Sequence, residues 1–155
     1  MRLLLAIVFA VSALAGPADA ATRIDDPVKF IKDCYVRLST ATNAKPWVQP
    51  SGIYTPRLAA LFALDVKENP GAPGRADFDF YANAQDWEIT DVKVTGRPVV
   101  NGAGREVVTA TFVSFKHAQK VVFYFLKTAS GWSLDDARSD DWTLSLMLKY
   151  DPDNP

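Results

Sequence analysis

The joints between β-rich runs constrain this chain more than any other feature. Four such runs fill its second half, "WEITDVKVTGRPVV", "REVVTATFVSFK", "KVVFYFLKT" and "GWSLDDAR", joined by "NGAG", "HAQ" and "ASG". A parallel crossover needs about a dozen residues or more, whereas an antiparallel hairpin closes with about two to five. Joints this short leave antiparallel pairing between sequence neighbours, and hence a four-stranded meander.

Two details refine that meander. In "WEITDVKV", Trp87 and Ile89 share one parity while Val92 and Val94 share the other. Strict alternation cannot bring both pairs to one face. An extra residue near Thr90 and Asp91, a β-bulge, restores the match and bends the strand. The run "VVFYFL" does not alternate at all, which predicts cover on both of its faces. Helices from the first half can cover one face. The other needs a C-terminal helix or a second subunit, and so a homodimer through the sheet is a candidate assembly.

The first half reads as helix. Asp26-Pro27 is an N-cap followed by proline at the first helical position, where its missing N–H costs nothing. Phe30, Ile31, Cys34, Tyr35 and Leu38 then recur at helical spacing, opposite Lys29, Lys32, Asp33 and Arg37. This predicts about four turns, fading in "STATNAKP". Thr55-Pro56 repeats the start signal, Leu58, Leu61, Phe62 and Val66 form a second apolar stripe, and Asn69-Pro70-Gly71 ends it. After the last strand, Asp140 and Asp141 are expected to cap a short helix with Trp142, Leu146 and Met147 turned inward.

The leader bounds the compartment. "MRLLLAIVFAVSALAGPADA" carries one early positive charge, an apolar run too short to span roughly 30 Å of hydrocarbon comfortably, and small residues at Ala18 and Ala20. It reads as a secretory signal peptide, residues 1–20, cleaved after Ala20. A soluble periplasmic or secreted chain, 21–155, is left, enough for one domain with a single core. "LAGP" places proline where a lipoprotein needs an acylated cysteine, so no membrane anchorage is expected after cleavage. The net charge of −1, with scattered ions, offers no footprint for nucleic acid. Cys34, the one cysteine, cannot form an internal disulfide and falls on an apolar helix face, as a small buried hydrophobe.

Helices first, then a bent antiparallel meander: in this layout the chain resembles the cone-shaped α+β domains of the nuclear-transport-factor-2-like (cystatin-like) superfamily. Within it the chain resembles a family of bacterial envelope proteins called domain of unknown function 3828. "YTPRLAALF", "DFDFYANAQDW" and "GWSLDDAR" before a short leucine-containing helix carry the resemblance, over roughly Asp26 to Lys149. It implies N-terminal helices packed in the hollow of a curved four-stranded sheet, a pocket at the open end, and an envelope location. It implies no catalytic residue.

The stretch "RADFDFYANAQDW" is the strongest site candidate. Asp79, Tyr81, Gln85 and Asp86 stand among aromatic rings there, and Tyr124 of "VVFYFL" is placed to face the same hollow. Ligand sites are commonly apolar with a few placed polar groups. The structural alternative makes Phe78, Phe80 and Trp87 core plugs, with Asp79, Gln85 and Asp86 capping backbone N–H groups at a corner. That role comes first, and a ligand-facing role sits on top of it. A carboxylate held against the rings could act with a tyrosine as acid or base, as in cone-fold isomerases and lyases. No spacing demands that pairing, and no catalytic residue is assigned. His117, the lone histidine, falls at an exposed hairpin tip. Asp135 and Asp136 are placed to pair with Arg138 or to cap a loop. One histidine, one cysteine and no D-x-D-x-D-G loop give no metal site, and no cofactor fingerprint is present. The sequence therefore predicts a non-catalytic module binding a small ligand or an envelope protein. A cone-type isomerase or lyase using an Asp/Tyr pair is the first alternative. An inhibitor or immunity-type blocking protein that binds through loops such as "NGAG" is the second.

Overall fold

The structure, a computed structural model, describes residues 23–99 and 104–149. The predicted signal peptide and most of the "NGAG" joint lie outside the described residues. Helices α1 (Pro27–Ser39) and α2 (Pro56–Glu68) precede strands β1 (Ile89–Pro98), β2 (Arg105–Ser114), β3 (His117–Thr128) and β4 (Gly131–Arg138), and a short α3 (Leu144–Met147) follows. The fold is α+β, with one open antiparallel sheet in the order β1-β2-β3-β4.

Both expected helix starts hold. The Asp26 carboxylate accepts from Lys29 N–H at 2.9 Å, and the Thr55 hydroxyl from Leu58 N–H at 3.3 Å. Each cap satisfies a backbone donor that the first helical turn leaves without a partner. The expected bulge also holds: β1 pairs Thr90 with Val113, then resumes at Lys93 with Thr111. Asp91 inside it has φ 54°. The slip puts Ile89 opposite Ser114 and Val94 opposite Ala110, all on one face. A second bulge interrupts β3–β4 between Tyr124 and Phe125, where Asp135 is the extra residue.

One face of the sheet, here called inward, carries the core. Val108, Ala110, Phe112, Val121, Phe123, Phe125, Leu134 and Ala137 are buried there against Ile31, Tyr35 and Leu38 of α1 and Leu58 of α2. Cys34 is buried in the same cluster, and loss of water around it pushes its thiol up to about 11. The two sheet edges are treated differently. Along β4, Trp132 N–H donates to Ile24 C=O, Leu134 N–H donates to Ile53 C=O, and Leu134 C=O accepts from Thr55 N–H, so chain segments cover that edge. At β1 the bulge, Lys93 and Pro98 do the protecting, as is usual for an exposed strand edge.

Four expectations need correction. The β2–β3 turn is Phe115-Lys116, with φ 46° and 69°, and His117 already opens β3, so "HAQ" is not the joint. Two consecutive positive φ values match a two-residue hairpin turn whose twist suits the strands. On α2, Val66 is 71% exposed and Asp65, at 4%, takes the inward position. Asp65 accepts from the Asn69 amide and from Arg75 N–H and pairs with the Arg75 guanidinium at 3.8 Å, so partners contributed from outside the helix make its burial tolerable. Thr143, not Asp140 or Asp141, stands at the start of α3, and Asp140 pairs with Lys120. That displacement rotates the helix, and Leu144 and Leu148 are buried while Leu146 is 62% exposed. Finally, the two leucines join the inward cluster, so α3 does not cover the outward side of "VVFYFL". Outward-facing Val122 is buried, and Tyr124 and Leu126 are half-buried among their strand neighbours.

Candidate functional site

The aromatic–acid corner is a closed structural device. The half-buried Asp79 carboxylate accepts from Trp47 Nε1–H at 2.6 Å, Gln49 Nε2–H at 3.0 Å, Tyr81 N–H at 2.8 Å and Ala82 N–H at 3.0 Å. Four donors occupy both of its oxygens. Asn83, at φ 56°, donates to Gln119 of β3 and accepts from Trp142 Nε1–H at 2.6 Å, tying the corner to the sheet and to the segment before α3. Tyr81 lies in the core, its ring 4.6 Å from Phe80 and 5.3 Å from Phe123, and its backbone carbonyl accepts from the Tyr35 hydroxyl at 2.7 Å. The Tyr81 hydroxyl is buried and has no hydrogen-bond partner among the described residues. Burial pushes the Tyr35 and Tyr81 hydroxyls well above the usual tyrosine range and Tyr54 up to about 12.

The five sequence-predicted site residues are not brought together. Asp79 and Tyr81 share the corner. Gln85 and Asp86 are exposed on its solvent side, and Gln85 reaches only Asp77, at 3.4 Å. Tyr124 stands on the opposite face of the sheet, in the cross-strand row Arg97–Val107–Tyr124–Asp136. Among the described residues no carboxylate hydrogen-bonds a tyrosine hydroxyl, and no three His, Cys, Asp or Glu side chains come together as metal ligands.

Tyr124 does line a groove, one with no local signature in the linear sequence. About 530 Å³ of open space lies on the outward face at the end of the sheet near the β1–β2 connection. Val107, only 9% exposed, forms its floor with Leu126 and the Tyr124 ring. Arg97, Arg105 and Arg138 surround that floor, each exposed and without a carboxylate partner among the described residues. The Arg138 guanidinium lies 5.6 Å from the centre of the Tyr124 ring, a cation–π contact that fixes both groups. Glu106, Asp135 and Asp136 stand at the rim. Two of these acids are already engaged. Asp135 accepts from the Thr55 hydroxyl at 2.8 Å and from Arg57, and Asp136 caps Ser145 N–H at 3.0 Å and takes the Ser145 hydroxyl. Asp136 thus caps the first turn of α3 and not a loop, and among the described residues it forms no ion pair with Arg138. Burial, with Asp26 nearby, holds the Glu106 carboxyl above the usual range.

The signal for this groove was present but not local. Arg97, Arg105 and Arg138 come from three strands, and they share a face only once the hairpin registers and the second bulge, which shifts β4 by one residue ahead of Arg138, are fixed. No protein-family model, no curated protein and no solved structure matches the chain. The groove must therefore be read from its own chemistry.

Proposed function

We propose that this protein is an exported, non-catalytic binding module whose binding surface is the outward groove. One observation carries the reading: three guanidinium groups without acidic partners surround an apolar floor, while the inward face is filled with side chains. Preformed concave sites with a largely apolar lining and a few placed polar groups are where small ligands bind. The leader sequence supports export to the periplasm or beyond, and no described helix is long and apolar enough to cross a membrane. The cone-type reading rests on α1 packed on β1 and β2 and on two bulges in the sheet, and the likeness to the envelope family called domain of unknown function 3828 rests on its sequence stretches alone.

The isomerase or lyase alternative needs a free inward carboxylate beside a tyrosine, and Asp79 has spent its oxygens on four donors. A homodimer through the outward face would have to bury Arg97, Arg105 and Arg138, which have no carboxylate partner among the described residues, at a desolvation cost. We therefore read the protein as a monomer that presents this face to a ligand. Native mass spectrometry of protein purified from its own envelope tests the proposal. A co-purifying molecule that is lost from the Arg97→Gln/Arg138→Gln variant is expected. The bare chain mass from the unaltered protein would overturn the reading.

A further inference from the structure

The register fixes how the three arginines stand. Arg97, Val107 and Tyr124 form one row across β1, β2 and β3, so with strands about 4.8 Å apart Arg97 and Tyr124 start about 10 Å from each other with Val107 between them. Arg105 lies two residues along β2 from Val107 on the same face, roughly 7 Å away. Arg138, in the row on the other side of Val107, is held on the Tyr124 ring. The three arginines thus stand in neighbouring rows around one apolar spot, with the Arg138 guanidinium over the Tyr124 ring. An arginine fork binds carboxylate, sulfonate or phosphate oxygens in pairs, and three forks around one spot suit more than one acidic group.

The floor adds a second requirement. A bare inorganic ion would leave Val107, Leu126 and the Tyr124 ring uncovered, whereas a compact organic body would bury them. A space of about 530 Å³, lined from all four strands, fits a small molecule better than a long peptide. Of the three rim acids, Asp135 and Asp136 are tied to Thr55, Arg57 and Ser145, and the Glu106 carboxylate lies beside Gly96 and Val28 on the inward side, so they leave the arginines available. We infer that the groove takes a small organic anion with two or three acidic groups on an apolar or ring-shaped body. This inference rests on the reading of the outward groove as the binding surface.

Calorimetric titration of the purified protein at low ionic strength tests it, with benzene-1,3,5-tricarboxylate as the probe and the neutral benzene-1,3,5-tricarboxamide as its counterpart. The tricarboxylate should bind at least about tenfold more tightly than the triamide, since charge-assisted hydrogen bonds are about twice as strong as neutral ones. Arg97→Gln, Arg105→Gln and Arg138→Gln should each weaken it by about tenfold, as expected when one such contact is lost. Tyr124→Leu should weaken it by a smaller factor, and Lys32→Gln, on exposed α1, should change nothing. Equal affinity for both probes, or tricarboxylate binding indifferent to the three arginine variants, would overturn the anionic class. Binding of a poly-glutamate peptide in place of the tricarboxylate would assign the groove to an acidic protein segment and overturn the small-molecule class, leaving the binding-surface reading intact. Failure of all three probes would overturn the inference, and the co-purification result then decides separately whether the binding-module reading falls with it.

Discussion

Along β3, Val121, Phe123 and Phe125 point into a core where they are sealed from water, while Val122, Tyr124 and Leu126 point to a face crowded with arginine, lysine and threonine. The same six residues therefore serve two surfaces with different physics. On the inward side, contacts are apolar or fully paired, and removing atoms leaves holes. On the outward side the apolar residues are low between long cationic side chains, and Arg97, Arg105 and Arg138 have no carboxylate partner among the described residues. A run with no alternation need not have a second layer of protein over it. It can also mark a strand whose outward residues form the floor of a groove.

The largest expected effect tests the inward side. Phe123→Ala should cost about 3–5 kcal/mol of stability, as burial and cavity effects combine, whereas Tyr124→Ala should cost about 1 kcal/mol or less. Urea denaturation of the two variants compares the faces directly, and similar costs would erase the distinction. Next comes Asp79→Ala, which leaves two indole and amide donors and two backbone N–H groups unpaired and should cost about 2–3 kcal/mol. Asp86→Asn, on the exposed side of the same corner, should leave the denaturation midpoint where it is. A silent Asp79→Ala would reopen the corner as a ligand site.

Alkaline pH offers a third probe of the inward face. Burial raises Cys34 from 9.0 to about 11, and the unfolded chain releases that proton first. Between those values the folded state binds more protons, so stability, whole below pH 9, should fall as pH rises toward 11, by on the order of 2 kcal/mol from this group. Denaturation midpoints across that range should decline more steeply for the unaltered protein than for Cys34→Ala. Smaller still is the turn at Phe115-Lys116, where both residues hold positive φ. Replacing the pair with Asn-Gly should raise stability by about 1 kcal/mol, because these residues adopt that conformation at low cost. Smallest of all, Arg97→Gln and Arg138→Gln should shift stability by no more than about 0.5 kcal/mol, placing these arginines outside the folding core.

What the sequence disclosed was what nearest neighbours decide. Asp26 and Thr55 cap helices that begin within three residues of them, and the parity clash between Ile89 and Val94 could be seen without any partner strand. The "GWSLDDAR" boundaries hold because glycine and the change of composition bracket the run. Hidden features depended on distant residues or on atypical turn chemistry. Asp65 is buried because Arg75, ten positions later, returns its backbone N–H and guanidinium to it. Phe115 and Lys116 carry none of the residue types that announce positive φ. The α3 start lies a few residues beyond the Asp140-Asp141 signal, and at about 100° per residue that is enough to exchange Leu146 for Leu144 and Leu148 at the core. Tyr124 stands out in the sequence as a polar group among apolar neighbours, but the face it occupies follows from its pairing with Val107, and the arginines beside it become neighbours only through the registers of three strand pairs.

The central claim is that binding belongs to the outward face. A nuclear magnetic resonance titration of the ¹⁵N-labelled protein with benzene-1,3,5-tricarboxylate tests it most directly. Dose-dependent shifts are expected at the backbone amides of Arg97, Val107, Tyr124 and Arg138, with those of Phe80, Tyr81 and Ala82 unmoved. Shifts confined to the Asp79–Asp86 corner, or an unperturbed outward face at saturating probe, would contradict it.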